Sequence, residues 1–314
     1  MEIVTALIYI AVFPGFLFLA SYGTALQWAD RKISAVMQNR VGPPWYQTIA
    51  DFIKLVSKEV IIPDGADISL FKALPYVAVA SVSTAVLFIP VTASPILSFQ
   101  GDMIAVIYLL TIPTATFFLA GWSSTSPYAS VGSIRVMTQL FGYEVPLLLA
   151  LVGPAILAGS WSIADISAYF SANPKMMIFQ LIGFAVSLLA VQGKLERVPF
   201  DTPHAKNEIV GGQFTEYSGI LLALFNLSID MEMVVAAALI NAVFLGGSWQ
   251  MAAGPAFAVF LIKTFAIVFL LTSIKAMMAR VRIDQMVNFC WKYLAPLAML
   301  QIMLDIYLRY GISR

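Results

Sequence analysis

Eight mostly apolar stretches, each about twenty residues long, run through this chain, and a stretch of that kind is what crosses a lipid bilayer as a helix. The first, Ile3 to Ala29, carries no charge. It is too long for the apolar core of a secretion signal and lacks a basic start, so it reads as a retained helix. Ala73 to Ala93, Met103 to Trp122, Val145 to Trp161, Met176 to Gly193, Tyr217 to Leu245, Pro255 to Ala279 and Phe289 to Leu308 follow, the fourth starting before Glu144. Composition agrees: residues of the DEKR class make up 11% and the AVILMFWYC class 60%, whereas soluble domains carry about 25% charged residues. A soluble enzyme, a disordered chain and a nucleic-acid binder are excluded. The expected fold is an all-α integral membrane protein. Residues 1–314 form one transmembrane domain with eight transmembrane helices and one amphipathic cytoplasmic surface helix.

Basic residues orient such a bundle, because they collect on the cytoplasmic side. Fourteen of the 18 Lys and Arg residues fall in or beside the odd-numbered connections. Lys175, Arg309 and Arg314 fall on the other side, and Lys263 lies within the seventh stretch. The chain is therefore expected in the cell membrane, multi-pass, with both termini outside. The sequence holds one cysteine, Cys290, and one histidine, His204. Clusters, structural zinc and bis-histidine haem all need more such ligands. No cofactor is expected on this chain, so electron carriers belong to other subunits; Asp or Glu could still hold a hard cation.

Two further features stand out. After Gly42-Pro43-Pro44, the residues Ile49, Phe52, Ile53, Val56 and Val60 share one helical face. That predicts a short amphipathic helix, which either packs on its own bundle or forms a shelf for a cytoplasmic partner. The other feature is charge inside the apolar stretches, where each ionised group costs about 2.5–3.5 kcal/mol. Asp230 and Glu232 sit mid-stretch, Glu144 near the cytoplasmic start of the fourth stretch, and Lys263 at mid-depth of the seventh. Two residues apart on a helix, Asp230 and Glu232 point in different directions. Lys263 either forms a structural ion pair with one of them or joins a relay of carboxylates. The connection from Glu196 to Glu216 is rich in charge and shaped by Pro199, Pro203, Gly211 and Gly212.

Four motifs in order carry a resemblance. They are Met37-Gln38-Asn39-Arg40-Val41-Gly42-Pro43 with Lys54 and Lys58; Gly121-Trp122-Ser123 through Arg135 to Tyr143-Glu144-Val145; Glu196-Arg197-Val198-Pro199-Phe200-Asp201 through Glu208 and Gly211-Gly212 to Glu216-Tyr217; and Arg280, Arg282, Asp284-Gln285 with Trp291-Lys292. Together they resemble the H subunit (subunit 1) of respiratory complex I. Where quinone-reducing members carry further acids after Pro-Phe-Asp, this chain has His204 and Lys206. In that it is more similar to the membrane anchor of archaeal group 4 [NiFe] hydrogenases and of sulfane reductase complexes.

The resemblance implies a membrane anchor that docks a hydrophilic redox arm and couples its electron transfer to H⁺ or Na⁺ translocation. Glu144, Glu196, Asp201, Glu208, Glu216, Asp230, Glu232 and Lys263 are the implied relay. Arg31, Arg40, Lys54, Lys58, Arg135, Phe200 and His204 are the implied contacts to the arm. Implied partners are catalytic and iron–sulfur subunits on the cytoplasmic side, antiporter-like and small membrane subunits, and lipid. Iron–sulfur clusters and any nickel–iron site would sit in those partners. The alternative is a quinone-chamber subunit of an NADH- or deazaflavin-type quinone oxidoreductase, with quinone as ligand.

Overall fold

The computed structural model describes residues 2–248 and 251–311, and Arg314 lies outside them. Among the described residues there are helices and no strands. In chain order the helices are α1 (Glu2–Ala11), α2 (Phe16–Met37), α3 (Gln47–Val56), α4 (Ile68–Ala85), α5 (Asp102–Ser123), α6 (Pro127–Ala158) and α7 (Ile163–Ala172). Then come α8 (Met176–Phe179), α9 (Leu181–Lys194), α10 (Lys206–Ile209), α11 (Gly219–Phe244), α12 (Ala253–Met277), α13 (Ile283–Phe289) and α14 (Ala295–Gly311). Seven helical segments are long and apolar enough to cross a membrane, and α9 is a shorter apolar helix.

The bundle is organised around α11. Every residue from Asp230 to Phe244 is buried, and α2, α4, α7, α9 and α12 pack around it. A helix apolar on all sides is stable in such a wrapped position. Its carboxyl end is closed by Lys263 of α12, whose Nζ donates to the carbonyls of Leu245 at 2.7 Å and Gly247 at 2.6 Å. A cation there satisfies orphan carbonyls and complements the helix dipole.

Several expected boundaries are corrected. The first stretch breaks between Ala11 and Phe16, where Pro14 has no N–H to continue the ladder. The helix then runs on to Met37, so Arg31 and Lys32 ride on α2 instead of a loop. The connection between the third and fourth stretches shrinks to 124–126, because α6 begins at Pro127. Arg135 is thus helical, and Glu144 lies mid-helix instead of near its start. The fifth stretch is interrupted at Gln180, and the eighth begins earlier, at Ile283, with a π-turn over Cys290–Leu294.

Helix α7 was not expected. Ile163, Ile166 and Phe170 are fully buried in the core, and the helix packs on α11. Its first turn is capped from another helix: the Ile163 backbone N–H donates to Asp102 Oδ1 at 2.6 Å, and Ser162 Oγ donates to Oδ2 at 3.3 Å. Helix α3 forms where the spacing placed it, with Val60 beyond its end. Its apolar side is not spent on the bundle: Ile49, Ile53 and Val56 are exposed, and only Phe52 packs on the core.

Candidate functional site

The acids of α11 face different surroundings. Glu232 Oε1 lies 3.1 Å from Lys194 Nζ, and both side chains are 2% exposed or less. Of the two readings of Lys263, the ion pair with Glu232 is therefore not formed: Lys194, at the end of α9, holds that acid. Lys194 also donates to the Leu110 carbonyl at 2.6 Å and lies 5.6 Å from the Tyr143 ring centre. One residue on, Thr111 Oγ1 donates to Glu144 Oε1 at 2.9 Å, while Glu144 Oε2 is buried without a partner among the described residues. Helices α5, α6, α9 and α11 thus bring Glu144, Lys194 and Glu232 into one buried group.

Glu196 follows α9 and adopts a left-handed backbone with φ of 50°, a conformation costly for a residue with a β-carbon. Its Oε2 accepts from Gln213 Nε2 at 2.9 Å and lies 2.7 Å from His204 Nε2. His204 in turn lines a cavity of about 290 Å³ with Gln27, Arg31, Asp51, Phe52 and Asp230. Among the described residues no hydrogen bond or ion pair closes on the Asp230 carboxylate, which borders this cavity from α11. The two α11 acids therefore serve opposite sides, as their spacing requires.

Loop residues complete the arrangement. Arg135 Nη1 lies 2.6 Å from Glu208 Oε2 and donates to the Thr202 carbonyl at 3.3 Å. Arg280 Nη2 lies 2.8 Å from Asp201 Oδ2. Gln139 Nε2 donates to the carbonyls of Gly193 and Phe200, both at 2.7 Å, and its Oε1 accepts from Thr202 Oγ1 at 2.7 Å. That one amide clamps both ends of the Pro-Phe-Asp loop. Glu216 is half-buried at the foot of α11 and is not drawn into the group around Glu232.

Of the residues expected at an arm interface, Arg40, Lys54 and Lys58 are exposed. Arg31 is half-exposed and pairs with Asp51 at 2.9 Å, tying α2 to α3. Phe200 is buried beside Phe289. The connection between the first and second apolar stretches (loop 1–2) meets that between the fifth and sixth (loop 5–6) directly, since Ser218 Oγ accepts from the Ile61 N–H at 2.9 Å and donates to the Glu59 carbonyl at 3.2 Å. The sequence reading missed the Asp30 cluster. That buried carboxylate lies 3.1 Å from Arg197 and 2.7 Å from Lys275, and accepts from Thr272 Oγ1 at 2.8 Å. An acid directly after a charge-free stretch was the available signal.

Two carboxylates outside the spanning helices, Asp201 in a loop and Asp51 on α3, are shifted from the ordinary range. Burial pushes Asp201 above the usual range, opposed by the Arg280 charge. For Asp51, burial is outweighed by the hydrogen bonds from Arg31 and Gln47 and the Arg31 charge, and its carboxyl is held low. A raised acid favours the fold below its ordinary pKa, and that contribution is lost as pH rises through the folded value. Arg280→Met is therefore expected to move the Asp201 midpoint further up and to steepen the loss of loop stability on raising pH above the ordinary Asp range. Carboxyl infrared bands followed against pH, with Asp201→Asn for assignment, would measure it. An unmoved midpoint contradicts the pairing.

A family model described as NADH dehydrogenase matches residues 8–306. The chain is similar to the H subunit of the NADH-quinone oxidoreductase of Brevibacillus brevis, 36% identical over 96% of this chain and 91% of that protein. It is similar to the H subunit of the Carboxydothermus hydrogenoformans enzyme too, 34% identical over 94% and 87%. Among solved structures it resembles a chain of an archaeal respiratory membrane complex, the membrane-bound sulfane sulfur reductase, with a TM-score of 0.83, 27% identity and coverage of 92% and 96%. The chain belongs to the NADH dehydrogenase family, alongside the H subunits of NADH-quinone oxidoreductases.

Proposed function

We propose that this chain is the membrane anchor and coupling subunit of a complex-I-like respiratory oxidoreductase of the hydrogenase or sulfane reductase type. Its hydrophilic arm docks on the face built by loops 1–2 and 5–6 and the start of α6, with Arg31, Arg40, Lys54, Lys58 and Arg135 around it. Phe200 and Gln139 support that face from within. In this reading α9 crosses the membrane as an eighth span, both termini lie outside, and α3 lies at the cytoplasmic surface. The chain ligates no electron carrier; iron–sulfur clusters and any nickel–iron site belong to partner subunits.

The observation that carries the reading is the line of ionisable groups from the loop face to mid-bundle. Asp201 and Glu208 lie at the rim, Glu196 with His204 comes next, and Glu232–Lys194 with Glu144 lies deepest. A charge arriving at the rim acts on each neighbour in turn, because Coulomb interactions are strong where water is excluded. Electron transfer in the arm would thereby shift protons or cations along the line. His204, at a position that is acidic in quinone-reducing members, is bound to Glu196, which supports an arm that does not reduce quinone.

Asp230→Asn, Glu232→Gln and Glu216→Gln, made singly in the assembled complex, test the coupling. Electron transfer and ion pumping are measured on one preparation. Asp230→Asn is the cleanest change, since it breaks no ion pair among the described residues. At least one substitution is expected to reduce ions pumped per electron severalfold while the complex assembles. Normal pumping in all three would refute the relay, and quinone reduction by the purified complex would overturn the assignment of the arm.

A further inference from the structure

At the end of the bundle opposite the loop face, one hydrogen-bonded cluster of side chains holds three buried acceptors without a donor among the described residues. Asp305 on α14 is fully buried. Its Oδ1 accepts from Gln180 Nε2 at 2.5 Å and from Gln301 Nε2 at 2.9 Å, and Gln301 Nε2 also donates to the Phe179 carbonyl at 2.9 Å. These bonds fix which way each amide faces, because only the nitrogen can donate. Asp305 Oδ2, Gln180 Oε1 and Gln301 Oε1 remain, buried and without a hydrogen-bond partner among the described residues. A β-carbon added at Gly153 would overlap Asp305 Oδ2 and come within 3.6 Å of Gln180 Oε1, so both oxygens approach this glycine, and its missing side chain is what admits the Asp305 carboxylate. A β-carbon at Gly183 would lie 3.4 Å from Gln301 Cγ and 3.6 Å from the Ala150 carbonyl oxygen. Pro154 has no N–H to offer that carbonyl. One turn beyond Asp305, the Arg309 guanidinium donates to the Ile156 carbonyl.

We infer that this cluster binds an alkali-metal cation through Asp305 Oδ2, Gln180 Oε1 and Gln301 Oε1. The donors are all hard oxygens, the type that hard cations take. Carbonyls released where membrane helices break serve sodium in the same way. One carboxylate balances one positive charge, whereas a divalent ion would leave net charge buried. The cluster shares no residue with the proposed relay, and either stands without the other.

The test uses the assembled complex in detergent at equal ionic strength in NaCl, KCl or choline chloride. In sodium or potassium, the melting temperature of this subunit is expected to rise saturably over choline. Asp305→Asn should abolish the difference, and Gly153→Ala should do the same by displacing Asp305 Oδ2. A crystal or frozen-grid structure in thallium(I) should place the ion among the three oxygens. Equal melting in all three salts, with no thallium density, would overturn the inference in favour of a protonated Asp305 donating to Gln180, or of a buried water. If Asp305→Asn does not assemble, the wild-type titration and the thallium structure still decide.

Discussion

Lys194→Met is expected to be the most damaging single substitution in this chain. It leaves Glu232 in the middle of the bundle with its cation gone, and breaking a buried pair from one side costs about 3–5 kcal/mol. That is a large share of the stability of most domains. The remedy is equally specific: adding Glu232→Gln removes the stranded charge and should recover most of the loss, as buried pairs are often replaceable when both members go. The yield of this subunit in the purified complex, and the temperature at which it is released, give the two numbers. If Lys194→Met assembles and melts as the wild type does, the pair is not the buried contact described. If the double change is no better than the single one, Lys194 is held by its bond to the Leu110 carbonyl more than by Glu232.

Gly132→Ala is expected to come next. Helix α6 touches the backbone of the turn at Gly212 here: an added β-carbon would lie 2.5 Å from Gln213 N and 2.7 Å from the Gly212 carbonyl carbon. Neither atom can swing aside as a flexible side chain would, so the turn must lift. Overpacking of this kind costs about 1–3 kcal/mol. Gln213, which holds Glu196 Oε2, moves with the turn, so faster hydrogen exchange over residues 202–218 should accompany the lost stability. Gly142→Ala is the matched control on the same helix, since its nearest neighbours are side-chain carbons at 3.7 Å. Alanine also favours helix over glycine. Equal exchange in the two variants would refute the account.

Much of this arrangement could be read in the amino acids, and the failures have separate physical causes. Runs of apolar residues located the spanning helices, because the membrane demands them. The spacing after Pro44 located α3. The interval between Asp230 and Glu232 separated their directions. One thing that escaped was helix whose buried side is not greasy. The first half of α6 buries Ala129, Gly132, Ser133, Val136 and Gln139, small and polar residues that hydropathy reads as loop. Such residues let helices and turns approach closely in membranes. Lys194 escaped for the opposite reason. It ends an apolar stretch, where a lysine ordinarily snorkels to the interface, and only the bundle reveals that it turns inward. The partner of a buried charge is a property of tertiary packing, so shared depth in the membrane pointed to the wrong lysine.

The enclosure of α11 bears on how this protein is made. A chain is synthesised from its amino end, so α9 and its Lys194 reach the bilayer before α11 does. Inserted alone, α11 would bring two acids into lipid at about 2.5–3.5 kcal/mol each on insertion scales. Inserted beside α9, it meets the base that holds Glu232 3.1 Å away. Helices α2 and α4 are already present on its other flanks, and α12 follows to close its carboxyl end with Lys263. The central helix thus enters a cradle built by its predecessors and is sealed by its successor. A circular permutation that sends α11 ahead of α9 should stall at the insertion machinery even though the finished bundle would be the same.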